Sequence, residues 1–337
     1  MFRTLALATI VTGLSLAQET IPSQHLSEYV AKIKSSIPVR GSSAFVEPSE
    51  KDRVRFTACM KLLFEGQTAK AQTCLNSVNY NLGVLNDAGF HKEYFIATER
   101  HTGFKGLGTY IVDANYWRNV VLEAPHPWFD AETPEEALAV FQKAGGRALF
   151  IAGTHRCSDL AGASGCAGTT WACGPLSPAP HVEMPFRISD AAHFDRNFFT
   201  AAHRATLQLS PTPIAISLHG NGEEPVDAEL SDGTKHAAAK TALVNRLRNA
   251  LAAHGVKAGS CNWPADNPSR FLLCGGSNAQ SKISNGVENC AESARTASGL
   301  FIHIEQRRNL RDDPTPMVEA VRQVFPADGP GAAGSRK

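Results

Sequence analysis

Short apolar runs alternate with amphipathic stretches along the chain from about residue 90 onwards. Seven of these runs are rich in apolar and β-branched residues and punctuated by glycine, as is typical of buried strands: YFIATE, GTYIVD, NVVLEAP, RALFIAG, PIAISLHG, RFLLCGG and GLFIHIE. Helical stretches lie between them, over 134–144, 190–209 and 234–254. Strands that alternate with helices of this length predict an α/β fold with a largely parallel or mixed sheet.

The first quarter of the chain has a different pattern. Apolar residues with helix-like spacing among Lys, Glu and Gln predict an N-terminal helical section over 18–88, tied by Cys59 and Cys74. Residues 1–17 combine Arg3, an apolar run and a Ser-Leu-Ala site, which indicates a cleaved signal peptide. We therefore expect an α/β domain over 89–326, followed by a disordered Gly/Ala/Pro-rich tail over 327–337.

The cysteine count and the charge limit which cellular location and which classes of partner we expect for the protein. Eight cysteines in a chain with a signal peptide predict up to four disulfides and a secreted or periplasmic protein, although sequence leaves their pairing open. The balance of 33 Lys+Arg against 32 Asp+Glu, without a long basic tract, argues against a nucleic-acid partner. No apolar run reaches the ~20 residues of a membrane span.

Three predicted strands end in side chains that suit a metal ion. His126 follows VVLEA between two prolines, which stiffen the backbone around it. His219 ends PIAISLH, and Glu305 shares the face of His303 at the end of GLFIHIE. Ligands of open α/β sheets bind beyond the carboxyl ends of strands, so these side chains are expected to meet. Two imidazoles, a carboxylate and a water form a catalytic zinc shell.

The order of four motifs resembles the N-formylglutamate amidohydrolase family, within the broader zinc carboxypeptidase and aspartoacylase superfamily. The motifs are a strand ending in Pro-His, an arginine after the next strand, Leu-His-Gly, and a late Ile-Glu, in short islands between about residues 120 and 311. The resemblance implies a three-layer α/β/α fold with a mixed sheet and amide hydrolysis with one zinc ion. It implies that His126 and His219 are ligands, that Glu305 is the general base, and that Arg156 in GTHRCSD holds a substrate carboxylate.

The sequence departs from this family pattern at two places. The superfamily places a glutamate three residues after the first histidine, where this chain has Phe129. Asp130 is therefore the expected third ligand, with Glu132 and Glu123 as alternatives. At the arginine motif, His155 stands where the family has an asparagine.

Three further residues are candidates for substrate contact. His193 and Arg196 are three apart on the predicted helix SDAAHFDRNFFTAAHR, so they could share a face at the mouth of the site. Arg196 is thus an alternative to Arg156 as the carboxylate-binding group. His303 could donate to an oxyanion or orient Glu305. Each such histidine, taken alone, is more often a structural residue.

Together these observations predict a secreted zinc-dependent hydrolase of an amide bond near a carboxylate, acting on a small peptide or an acyl-amino acid. Two alternatives stay open. One is a non-catalytic secreted binding protein on the same fold. The other is a serine hydrolase, because LHGNGE resembles the His-Gly-Gly oxyanion turn of esterases, although the chain has no Gly-x-Ser-x-Gly elbow.

Overall fold

The computed structural model describes residues 19–175, 182–222, 225–265, 271 and 273–332. The predicted signal peptide, residues 1–17, lies outside the described residues. The strands are β1 Glu19–Gln24, β2 Tyr80–Asp87, β3 Lys92–Glu99, β4 Thr109–Val112, β5 Val120–Ala124, β6 Ala148–Ile151, β7 Thr169–Thr170, β8 Met184–Pro185, β9 Ile214–Gly220, β10 Ala228–Ser231, β11 Ala258–Ser260 and β12 Phe301–Gln306. The helices are α1 Leu26–Ser36, α2 Glu50–Phe64, α3 Thr68–Asn76, α4 Thr133–Ala144, α5 Phe198–Leu207, α6 Leu243–Ala253, α7 Ala279–Ser284, α8 Arg308–Asp312 and α9 Thr315–Val324.

Among the described residues, ten strands form one mixed, mostly parallel sheet in the order β1-β2-β3-β4-β6-β5-β9-β12-β10-β11. The central strands β6, β5, β9 and β12 run parallel to one another, whereas β4 and β10 flank them as antiparallel neighbours. Most residues of these four strands are apolar, because both faces of the strands are covered. The predicted α/β class is confirmed.

Helices cover both faces of the sheet and, within the described residues, build its two larger hydrophobic cores. One core contains α1, α4, α6 and α9, and the other contains α2, α3 and α5. Alternation along β9 sends Ile216 and Leu218 into the first core, so Ser217 and His219 point to the opposite face. The predicted three-layer α/β/α arrangement is confirmed.

The N-terminal section is built into this sheet. Besides three helices it contains β1 and β2, which pair with each other. Strand β2 also pairs with β3. The boundary predicted at residue 88 lies in the turn between β2 and β3. A disulfide joins Cys59 to Cys74, as the sequence predicts. Phe56 of α2 stacks on Phe198 of α5 with ring centroids 4.2 Å apart, so this section shares a core with the rest of the chain.

Two predicted helices are shorter in the structure. The one expected over 190–209 begins only at Phe198, because the carboxylate of Asp190 accepts the backbone N–H groups of Ala192 and His193 and turns the chain there. Asn197 then caps the helix by accepting the N–H of Thr200. The one expected over 234–254 is restricted to α6, because 234–242 are held by turns and side-chain bonds instead.

One predicted strand is wrong, and in the part of the chain that the structure describes six strands were not predicted: β1, β2, β7, β8, β10 and β11. Two of these, β1 and β2, lie in the section predicted to be helical. Among the described residues of RFLLCGG, Phe271, Leu273 and Cys274 belong to no strand. One of the strands that were not predicted, β10, pairs with β12. Its sequence, AELS, has too few apolar residues for its pattern to reveal it.

Four disulfides join all eight cysteines: Cys59–Cys74, Cys157–Cys173, Cys166–Cys290 and Cys261–Cys274. They indicate an oxidising environment. Within the described ranges, no helix is both long and apolar enough to span a membrane. In the predicted tail, Gly329 and Gly331 donate to the carbonyls of Trp117 and Tyr116, and residues 333–337 lie outside the described residues.

Candidate metal centre

A cavity of about 570 Å³ opens at the carboxyl ends of the central parallel strands. Its floor is formed by the ends of β5, β9 and β12, which contribute His126, His219 and Glu305. Asp130 and Arg156 also line it. Parallel neighbours end at the same sheet edge, and this brings together side chains that are more than 170 residues apart in the sequence.

Three potential ligand atoms form a compact triangle. Nδ1 of His126 lies 3.2 Å from Nδ1 of His219. Oδ2 of Asp130 lies 2.9 Å from the first and 3.4 Å from the second. Donor atoms at ordinary zinc distances around a tetrahedral ion are about 3.4 Å apart, so this set fits one ion. A turn in which the N–H of Asp130 donates to the carbonyl of His126 delivers the carboxylate from the i+4 position.

The second ring nitrogen of each histidine is already bound. Nε2 of His126 lies 2.9 Å from Oδ1 of Asp190, and Nε2 of His219 lies 3.0 Å from Oγ of Ser217. When Nε2 carries the proton and donates to these oxygens, Nδ1 presents its lone pair towards Asp130. Metal-bound histidines are commonly held in this way by their other nitrogen.

Charge and burial suit a cation at this position. Burial, together with His126 nearby, lowers the pKa of His219 to about 4. Burial alone would raise the pKa of Asp130, but the two imidazoles lower it well below its ordinary value. Burial and Arg156 oppose a proton on His126, yet the carboxylates of Asp190 and Asp130 outweigh them and raise its pKa. The centre therefore combines the neutral imidazole of His219 with the ionised carboxylate of Asp130, and a metal ion bound between them would replace the proton that His126 favours.

Asp190 joins the metal centre to the arginine. Its Oδ2 accepts a hydrogen bond from Nε of Arg156 at 2.9 Å and forms an ion pair with Nη2 at 2.6 Å, while Oδ1 faces His126. Asp190 is fully buried, and these cations hold its pKa well below the ordinary value despite burial. Sequence reasoning did not select it as a site residue, because it lies in an irregular turn and not at a strand end.

Glu305 and His303 lie on the other side of His219. One ligand atom from each of these three residues falls within 4.8 Å of the other two. Nε2 of His303 lies 3.4 Å from Oε1 of Glu305. Burial is the main cause that keeps the pKa of His303 well below its ordinary value, followed by the nearby imidazole of His219. A carboxylate is thus placed beside the triangle of ligand atoms without belonging to it.

The remaining predicted residues separate into two groups. His193 lines the cavity, with Nδ1 2.9 Å from Oδ1 of Asp190 and its ring stacked on Phe186. Arg196 is not among the described residues that line the cavity, and its half-exposed guanidinium binds Glu47 at 2.7 Å. Because the chain is not helical at this point, the shared helical face expected for His193 and Arg196 is wrong.

The two reserve ligands also lie elsewhere. Glu132 pairs with Arg308 at 3.2 Å, towards the surface. Glu123 is fully buried and binds Nδ1 of His203 at 2.7 Å. Two wall residues that the sequence did not single out are Trp171, which is 43% exposed, and Lys235.

No protein-family model matches the chain, and no curated protein matches it. Among solved structures, it is similar to a bacteriophage poly-γ-glutamate hydrolase at 16% identity and a TM-score of 0.34, over 64% of this chain and 87% of that one. A succinylglutamate desuccinalase from Vibrio parahaemolyticus has 12% identity and a TM-score of 0.36, over 74% and 79%. The zinc-free apo form of YNDL has 17% identity and a TM-score of 0.32, over 67% and 80%.

Proposed function

We propose that the protein is a secreted zinc-dependent hydrolase that cleaves an amide bond near a carboxylate, in a small peptide or an N-acyl or glutamyl amino acid. One observation carries the proposal. The ligand triangle of His126, Asp130 and His219 lies on the floor of a cavity that also holds a carboxylate, Glu305, and a guanidinium, Arg156.

One Zn²⁺ held by His126, Asp130 and His219 would supply a Lewis acid that lowers the pKa of bound water towards about 7 and polarises a carbonyl. Glu305 would accept the proton of the attacking water and return it to the leaving amine. Arg156 would bind the substrate carboxylate, and Asp190 holds the guanidinium in place for that contact.

His303 and His193 complete the cavity. Burial disfavours the charged form of both rings, so each serves as a neutral group. His303 would orient Glu305 or donate to the developing oxyanion. His193 would shape the space beside Arg156, since its ring stands between Asp190 and Phe186.

A serine hydrolase is the second candidate, because one buried chain of hydrogen bonds has the composition of a catalytic triad. Nε2 of His203 lies 2.8 Å from Oγ of Ser284, and Nδ1 lies 2.7 Å from Glu123. However, His203 and Glu123 are fully buried and Ser284 is 7% exposed, so a substrate cannot reach the hydroxyl without rearrangement. We assign this network a structural role.

Metal content and amide turnover of the purified protein test the proposal. We expect about one zinc ion per chain, with loss of both zinc and turnover in His219→Ala. The matched control is His254→Ala, which changes an exposed histidine after α6 and should retain both. Full zinc in His219→Ala would overturn the assigned centre.

The alternatives give different results. Stoichiometric zinc without turnover on a panel of carboxylate-bearing amides would indicate a binding protein. Chelator-resistant turnover that a serine-directed phosphonate abolishes would indicate a serine hydrolase. Secretion is tested separately by the N-terminal sequence of the mature protein, which should begin near Gln18.

A further inference from the structure

A segment of the N-terminal section runs directly behind the wall of the cavity. We call residues 37–44 the strap. The two residues that flank Arg156 in the sequence are both bound to it: the N–H of His155 donates to the carbonyl of Pro38 at 2.9 Å, and the N–H of Gly41 donates to the carbonyl of Cys157 at 2.9 Å. The strap thus holds the backbone on both sides of Arg156, whose side chain is held by Asp190.

The strap also reaches residues 172–174, beside the cavity, through Arg40. Its Nη1 donates to the carbonyl of Ala172 at 2.8 Å, and its Nη2 donates to the carbonyl of Gly174 at 2.5 Å. These carbonyls flank Cys173, whose disulfide partner is Cys157. Ala172 and the preceding residue, Trp171, line the cavity.

We infer that the strap is a positioning element for the substrate end of the cavity and that Arg40 is its key positioning residue. None of the described residues that line the cavity belongs to the strap, so it acts through Arg156 and the wall residues 169–172. The inference rests on the proposed function, because it assigns the strap to the carboxylate-binding half of that site. It also makes the N-terminal section a working part of the hydrolase and not an inhibitory pro-segment, which would have to occupy the cavity.

The physical reason lies in how the wall is held. Residues 169–172 carry only the two-residue strand β7, which pairs with β8, so the wall has little regular structure of its own. Besides the disulfide of Cys173, two charge-assisted hydrogen bonds from Arg40 hold this wall in place of a backbone ladder. Without them the carbonyls of Ala172 and Gly174 turn to water, and the wall samples more positions. Small displacements of groups that orient a substrate weaken the productive complex strongly.

The experiment compares Arg40→Ala with Arg53→Ala. Arg53 is also half-buried and donates from its guanidinium to a backbone carbonyl, that of Pro48 at 2.7 Å, but on α2 away from the cavity. Each variant is assayed for zinc content, for kcat and KM on a carboxylate-bearing amide, and for hydrogen exchange of peptides covering 169–174.

For Arg40→Ala we expect a KM raised by about tenfold, kcat within about threefold, unchanged zinc and faster exchange in 169–174. In Arg40→Lys the KM should lie between those of Arg40→Ala and the parent protein, because lysine keeps one donor nitrogen. Arg53→Ala should match the parent protein. Unchanged KM and unchanged exchange in Arg40→Ala would overturn the inference, as would an equal loss of zinc, kcat and melting temperature. If the parent protein hydrolyses no amide, the proposed function fails, and the exchange of 169–174 still decides the role of the strap.

Discussion

Oδ1 of Asp190 lies 2.9 Å from Nε2 of His126, on the opposite side of the imidazole from Asp130. Through Oδ2 the same carboxylate accepts a hydrogen bond from Nε of Arg156 and forms an ion pair with Nη2. One buried aspartate thus contacts both His126, the proposed metal ligand, and Arg156, the proposed substrate-binding group. Its replacement should disturb both metal affinity and substrate affinity.

Asp190→Asn should weaken zinc binding by about 10- to 100-fold. An amide has one acceptor oxygen, so it cannot serve both His126 and Arg156. Competition with a chromophoric chelator measures the affinity. His193→Ala is the control, because it removes a neighbour of Oδ1 and leaves the contact to His126 in place. Equal zinc affinity in Asp190→Asn and the parent protein would count against an orienting role.

Glu305→Gln should lower kcat by about 10²- to 10⁴-fold and leave the zinc content intact. The amide keeps the size of the side chain but cannot accept a proton from water. Zinc analysis and steady-state kinetics on the same preparation separate the two effects. A variant that turns over at the parental rate would exclude Glu305 as the base, and one that loses zinc would make it a ligand instead.

Arg156→Lys should raise KM by about tenfold or more for a substrate that carries a carboxylate. Lysine keeps a positive charge beside the buried Asp190 but loses the planar pair of donors. Arg196→Lys should have no effect, since that guanidinium binds Glu47 at the surface. An analogue without the carboxylate should show little change in either variant. The reverse result, with KM raised only by Arg196→Lys, would restore Arg196 as the carboxylate-binding group.

Glu136 should make the folded state less stable as the pH rises. Burial is the main cause that raises its pKa from 4.5 to about 8, against a hydrogen bond from Gln306 at 2.8 Å. The folded state therefore holds a proton that the unfolded chain releases above about pH 4.5, so stability falls between that pH and about 8. This loss is on the order of 3–5 kcal/mol.

Glu136→Gln should remove that dependence and be more stable than the parent protein at pH 8, with a difference that shrinks towards pH 5. Urea unfolding at pH 5, 7 and 8.5 provides the measurement. Glu319→Gln, at a partly exposed position on α9, is the control. Parallel stability curves for the parent protein and Glu136→Gln would contradict a raised pKa at this residue.

The sequence by itself determined the α/β class and the strands that carry the centre. Alternation with period two is a local property, so it predicted that His219 shares a face with Ser217 on one strand and that Glu305 shares a face with His303 on another. His126 followed from the strand end and its two prolines. The disulfide between Cys59 and Cys74 was also predicted, because both lie in one short helical section.

Only the tertiary structure decided which polar side chains share the cavity. Asp190, Arg40 and Trp171 lie in turns and loops, whose positions depend on hydrogen bonds and disulfides to distant segments and leave no periodic signal. The sequence placed Arg196 near the cavity because it predicted a helix over 190–209. The helix instead begins at Phe198, two residues after Arg196. Local patterns specify elements and faces, whereas a site made by several strand ends and loops is specified by contacts between residues far apart in the chain.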